Sequence, residues 1–134
     1  MNKQKLVIVG GGGMVGATAA YACALRSVVE EIVLIDRNAD LVWGQAADIN
    51  DAMGLDRNVE VRAGDYSDIA TDDIVVITAG APQQPGQTRL ELVGVNANIM
   101  RDIVKNIMAG GAKPYLVIVS NPVDVDYGDR KSVV

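Results

Sequence analysis

Between Leu6 and Asp36 the chain sets out residues whose types and spacing suit the holding of phosphates. Gly11, Gly13 and Gly16, with Met14 and Val15 between the last two, follow the spacing Gly-x-Gly-x-x-Gly just after the apolar run Leu6-Val7-Ile8-Val9. The first glycine of that pattern permits a tight turn. The second lets backbone approach a pyrophosphate, and the third lets a helix pack close on a strand. A helix starting near Met14 would aim its unpaired N–H groups and positive dipole end at the pyrophosphate. Asp36 closes the next apolar run, Ile32-Val33-Leu34-Ile35, twenty residues after Gly16. A carboxylate there is placed to accept hydrogen bonds from an adenosine ribose. A glycine-rich turn and nothing more would explain the glycines alone. Strand, glycines, helix, strand and acid in this order point to a dinucleotide site.

Two counts restrict the chemistry further. The 134 residues include no histidine, so imidazole serves nowhere in this chain as acid, base or metal ligand. Cys23 is the single cysteine, which excludes an internal disulfide and, without histidine, a zinc site of the usual kind. No metal is expected. Cys23 lies among alanines and reads as a small core residue rather than a nucleophile. Net charge is −5 with no basic cluster, which argues against nucleic acid as a partner. No apolar stretch is long enough to span a bilayer, and Met1 to Lys5 lead directly into a strand-like run rather than a signal peptide. The expected compartment is the cytoplasm. An apolar content of 49% indicates a folded globule, and the length suits one domain.

The elements that would position the glycines and Asp36 follow from the apolar pattern. Strand-length runs occur at Leu6–Val9, Ile32–Ile35, Val59–Arg62, Ile74–Thr78 and Tyr115–Ser120. Most are continuous rather than alternating, as in parallel strands covered on both faces. Helices are predicted from Met14 to Leu25, from an Asn38 cap to about Asp51, and from Arg89 to Met108. Leu41, Val42, Ala46 and Ile49 form the predicted inner side of the second, where Trp43 reads as a packing residue. Leu92, Asn96, Ile99, Ile103 and Ile107 line the third at helical spacing, with Gly54 and Gly110-Gly111 as stops. Strands alternating with helices predict an α/β, doubly wound parallel sheet of the Rossmann kind with about five strands, one short of the complete fold. Gly80 to Thr88, with Pro82, Pro85 and Gly86, is the longest irregular stretch. Its place after a strand suits a flap over the binding crevice, though an ordinary surface loop has the same composition.

Two further segments carry a resemblance. Ile77-Thr78-Ala79-Gly80-Ala81-Pro82-Gln83-Gln84-Pro85-Gly86-Gln87-Thr88-Arg89-Leu90 resembles the active-site loop of NAD-dependent L-lactate dehydrogenases. Val119-Ser120-Asn121-Pro122-Val123-Asp124 resembles a turn shared across the lactate/malate dehydrogenase family. With the glycine turn and Leu34-Ile35-Asp36, the resemblance covers most of the chain from Lys5 to Val125. It implies NAD as cofactor, with Gly11, Gly13, Met14, Val15 and Gly16 at the phosphates and Asp36 at the ribose. It lays Thr78, Ala79, Gly80 and Val119 along the cofactor. Arg89 matches the loop arginine that closes over the substrate and polarises its ketone, a role suited to a permanently charged fork of donors. Asn121 matches the asparagine that hydrogen-bonds the reacting oxygen near the nicotinamide. Gln83 falls where the family selects substrate. A neutral amide resembles the lactate enzymes, whereas malate dehydrogenases place an arginine there to pair a second carboxylate. Asp36 repels a ribose phosphate and favours NAD over NADP, although Arg37 beside it is able to accept one.

The resemblance implies a parent that is a homo-oligomer acting on a small 2-hydroxy or 2-oxo acid, by hydride transfer between NADH and pyruvate. The family continues beyond this point into a sixth strand and a substrate domain bearing the catalytic histidine, and those positions are absent here. The expectation is therefore a dinucleotide-binding domain at residues 1–125, the NAD-binding fragment of an L-lactate dehydrogenase, inactive alone. A malate dehydrogenase fragment and a free-standing, non-catalytic NAD-binding module are the alternatives. Residues 126–134 look foreign to the family. Asp129 to Val134 can be back-translated into codons resembling a common sequencing adapter, and a natural short tail is the other reading.

Overall fold

The computed structural model describes residues 4–55 and 58–119. The predicted apolar runs become five parallel strands in the order β3-β2-β1-β4-β5: β1 Lys5–Val9, β2 Glu31–Ile35, β3 Glu60–Ala63, β4 Ile74–Ile77 and β5 Tyr115–Ile118. Three helices connect them, α1 Met14–Leu25, α2 Ala39–Met53 and α3 Arg89–Ala109. Chain order reverses between β1 and β4, so a crevice opens beyond their carboxyl ends.

The continuous apolar strands are buried on both faces, as their pattern requires. On one face Leu6, Ile8, Ile32, Leu34 and Val61 pack with Ala20 and Ala24 of α1 and with Val42, Ala46 and Ile49 of α2. On the other, Val7, Val9, Val33, Ile35, Val75 and Ile77 pack with Met100, Ile103 and Ile107 of α3. The buried positions of α1 are all small (Gly16, Ala20 and Ala24), which seats its axis close to the sheet. Asn38 caps α2 by accepting the Leu41 N–H at 3.1 Å, and Gly54 stops it at φ 73°.

The helix and strand ends differ from expectation by a residue or two, since fraying ends carry little pattern. Leu41 and Trp43 are corrections. Both face outward, and Trp43 is 71% exposed, because the inner stripe of α2 runs through Val42, Ala46 and Ile49. Met100, not anticipated, completes the inner stripe of α3. Cys23 is a free thiol, half-buried against the α1–α2 core. Between β3 and β4 there is a short 3-10 turn, Tyr66–Asp68, where no element was anticipated.

The two outer strands are treated differently. At β3 the side chain of Asn50 acts as an extra strand: its Nδ2 donates to the Val61 carbonyl at 2.6 Å and its Oδ1 accepts the Val61 N–H at 3.2 Å. That blunts an edge otherwise open to pairing. Along β5, Leu116 and Ile118 join the α3 core, while Tyr115, Val117 and Val119 are exposed among the described residues. Asn50→Leu leaves the Val61 groups without their partner and should lower stability by about 1–3 kcal/mol, read from the urea midpoint.

Candidate functional site

The turn after β1 is fastened to the end of β2. Gly10 N–H and Gly11 N–H both donate to the Ile35 carbonyl, at 2.8 and 3.1 Å. Gly12 N–H donates to Asp36 Oδ2 at 3.0 Å, while Oδ1 has only a long contact of 3.5 Å with the Asn38 N–H. The carboxylate is half-buried, and it keeps acceptor capacity for a hydroxyl pair. The glycine turn and Asp36 are thus one constellation.

The glycines divide by what surrounds them. Gly10 has φ 92°, and a Cβ there would meet Thr78 Oγ1 at 2.7 Å and the Ala79 backbone nitrogen at 2.8 Å. At Gly16 a Cβ would strike the Gly10 carbonyl, which is why α1 lies so close to the turn. Gly11 is closed in by Leu34, with 2.8 Å to its Cβ. Gly13 differs: a Cβ would find only the Gly10 oxygen, at an ordinary 3.4 Å. Packing inside the protein does not require glycine at position 13. Close approach of a ligand to the backbone would. Gly13 is also the N-cap of α1, with no side chain satisfying the first N–H groups and no acid in the first turn. Met14 and Val15 beside it are exposed. A helix end left in this state binds anions through bare amides and the dipole.

A cleft of about 430 Å³ lies against this turn, lined by Gly10, Gly13, Ile35, Asp36 and Arg37, and by Thr78, Ala79, Gly80 and Ala81. Thr78 holds the floor, its Oγ1 donating to the Val9 carbonyl at 3.1 Å. Val9 at the end of β1 lines it too, and five residues complete the lining, Tyr66 of the 3-10 turn and Ile99, Asp102, Ile103 and Asn106 of α3. These five were not anticipated as site residues. Tyr66 lies in a stretch with no periodic signal, and Ile99 and Ile103 read as core spacing. Gly10 was legible only as part of a glycine run. Burial pushes the Tyr66 hydroxyl up from the usual phenol range, opposed by Arg37 and aided by Asp36, so it stays a neutral donor.

Arg62 secures the 3-10 turn. Its guanidinium donates to Asp68 at 3.1 Å and to Glu31 at 2.7 Å. Burial raises the Asp68 carboxyl, but the Asp65 N–H and Arg62 outweigh it and hold it below the usual range.

The loop after β4 is anchored by buried Asn96, whose Oδ1 accepts the Ala81 N–H at 2.9 Å. Its tip closes on itself: Gln83 Nε2 donates to the Gln87 carbonyl at 2.9 Å, and Gln84 N–H to Gln87 Oε1 at 2.9 Å. Pro85 and Gly86 supply the turn, Gly86 at φ 80°. Arg89 is the exposed first residue of α3, behind a capping box of Thr88 and Glu91. Gln83, Arg89 and Val119 are not part of the cleft lining, and Gly11 and Gly16 lie buried beneath it. Asn121 and residues 126–134 lie outside the described residues.

The geometry agrees with what known proteins show. The family description "lactate/malate dehydrogenase, NAD binding domain" matches residues 4–129. The chain belongs to the lactate/malate dehydrogenase family, through its NAD-binding domain. It is 50% identical over 126 residues to L-lactate dehydrogenase 2 of Lactococcus lactis subsp. lactis, covering 93% of this chain and 40% of the relative. A malate dehydrogenase of Halobacterium salinarum is 48% identical, over 94% of this chain and 44% of that protein. Among solved structures, the minor L-lactate dehydrogenase of Enterococcus mundtii aligns with a TM-score of 0.85 at 44% identity, over 92% of this chain and 41% of that one. A malate dehydrogenase of Archaeoglobus fulgidus in complex with NADH aligns at 0.82 and 41% identity, over 92% and 42%. The chain thus spans about two fifths of the length of the curated relatives it matches. The open backbone at Gly13, the uncapped helix end and the available oxygen of Asp36 fit NAD, the cofactor of this domain.

Two outcomes follow from the packing. Gly13→Ala should leave stability within about 1 kcal/mol, whereas Gly16→Ala forces backbone apart and should cost about 1–3 kcal/mol, both read by urea denaturation. Because the Asp68 carboxyl is depressed in the folded chain, its contribution is complete above the ordinary carboxylate range and is lost as pH falls through its lowered value. Asp68→Asn should therefore flatten the acid limb of a stability–pH curve.

Proposed function

We propose that this chain is the NAD-binding part of an L-lactate dehydrogenase, whose whole enzyme passes hydride between NADH and pyruvate. The single observation supporting the binding site is the Gly12 N–H bond to Asp36, which joins the phosphate turn and the ribose acceptor. In this reading Gly11, Gly13, Met14, Val15 and Gly16 form the pyrophosphate turn, and Asp36 takes the ribose. Thr78, Ala79, Gly80 and Val119 flank the cofactor, whose nicotinamide supplies the hydride when bound. Arg89 polarises the substrate carbonyl from the start of α3, and Asn121 hydrogen-bonds the reacting oxygen.

Gln83 supports lactate over malate, because an amide leaves a second substrate carboxylate without a counter-charge. Malate dehydrogenase is the second reading, favoured by the 48% identity to the Halobacterium salinarum enzyme. The substrate, the oligomeric parent and a cytoplasmic setting all belong to the proposal. Among the described residues no helix is long and apolar enough to cross a membrane.

NADH fluorescence titration is the test. Asp36→Ala and Gly13→Ala should each weaken binding at least about tenfold, the first by removing a charged acceptor and the second by blocking backbone approach. Unchanged affinity in both variants would sink the assignment. With no histidine among the 134 residues, the purified chain should reduce pyruvate no faster than a protein-free control.

A further inference from the structure

The cleft holds an acid with no task in that reading. Of the two carboxylates in its lining, Asp36 is tied to the turn, whereas Asp102 is exposed, with no side-chain hydrogen bond or ion pair among the described residues. Asp102 stands one helical turn after Ile99 and next to Ile103, both lining the cleft, with the Tyr66 ring on the same lining. Aliphatic and aromatic surface of this kind takes the face of a flat ring. The neighbouring amide is partly engaged, as one N–H of Asn106 Nδ2 donates to the Asp102 carbonyl at 2.9 Å. The carboxylate that α3 offers at the margin of this apolar surface is that of Asp102.

We propose that Asp102 is a specificity residue that reads the base of the dinucleotide, accepting a hydrogen bond from the exocyclic amino group of adenine. This rests on the NAD-binding reading above and deepens it. An ionised carboxylate only accepts, so it pairs with an amino group and is repelled by a carbonyl in the same place. Adenine carries an amino group at C6, and hypoxanthine and guanine carry a carbonyl there. The aliphatic and aromatic lining gives no such preference, since every base has an apolar face.

The test uses NADH and its hypoxanthine analogue, deamino-NADH, titrated into the 134-residue chain with nicotinamide fluorescence as readout for both. The unaltered chain should bind NADH about fivefold or more tightly than the analogue. Asp102→Ala should weaken NADH and bring the two within about twofold. Asp102→Asn, whose amide both donates and accepts, should also narrow the gap, chiefly by improving the analogue. Asp102 is exposed on a helix, and melting curves of the variants should match the parent. Equal binding of both nucleotides by the unaltered chain, or discrimination that survives Asp102→Ala, would overturn the proposal while leaving the NAD site standing. Binding of neither nucleotide would overturn both.

Discussion

The attachment of the glycine turn to the end of β2 is the constraint on which the site depends. Three consecutive amides of the turn donate to Ile35 and Asp36, and each bond can form only if β1 and β2 are adjacent, parallel and in register. Val9 pairs with Ile35 in that register, so the strands end level and the next residues of each chain segment meet. The same alignment that satisfies the backbone brings an acid to the glycine turn. Without it, neither half would be a nucleotide site.

Close approach on the other side of the turn completes the arrangement. Gly10 and Gly16 touch through the Gly10 carbonyl, and Gly10 also abuts Thr78 and Ala79 just after β4. Large side chains at either glycine would push α1 off the sheet or open the β1–β4 crevice. The small stripe Gly16, Ala20 and Ala24 extends that closeness down the helix. Packing therefore makes different demands on neighbouring glycines. Gly10, Gly11 and Gly16 answer to it, while Gly13 does not.

The remaining walls come from segments tied down by polar anchors. Arg62 and Asp68 hold the 3-10 turn that presents Tyr66, and Asn96 holds the start of the loop after β4. The tip of that loop is tied to itself through Gln83, Gln84 and Gln87.

Sequence alone determined the strands, the helices, the glycine turn and Asp36, because each rests on local pattern: continuous apolar runs, caps such as Asn38 and Thr88, and glycine spacing. The family was legible for the same reason, its motifs being short and contiguous. Tertiary structure decided which glycine is required by the fold and which is free of it, since that depends on neighbours such as Thr78 and Leu34 far along the chain. It also placed Tyr66, Asp102 and Asn106 on the cleft and turned Leu41 and Trp43 outward. A helix pattern identifies a buried stripe but not its exact edge, and a residue outside any period has no signal until the sheet order brings it beside the strands it faces.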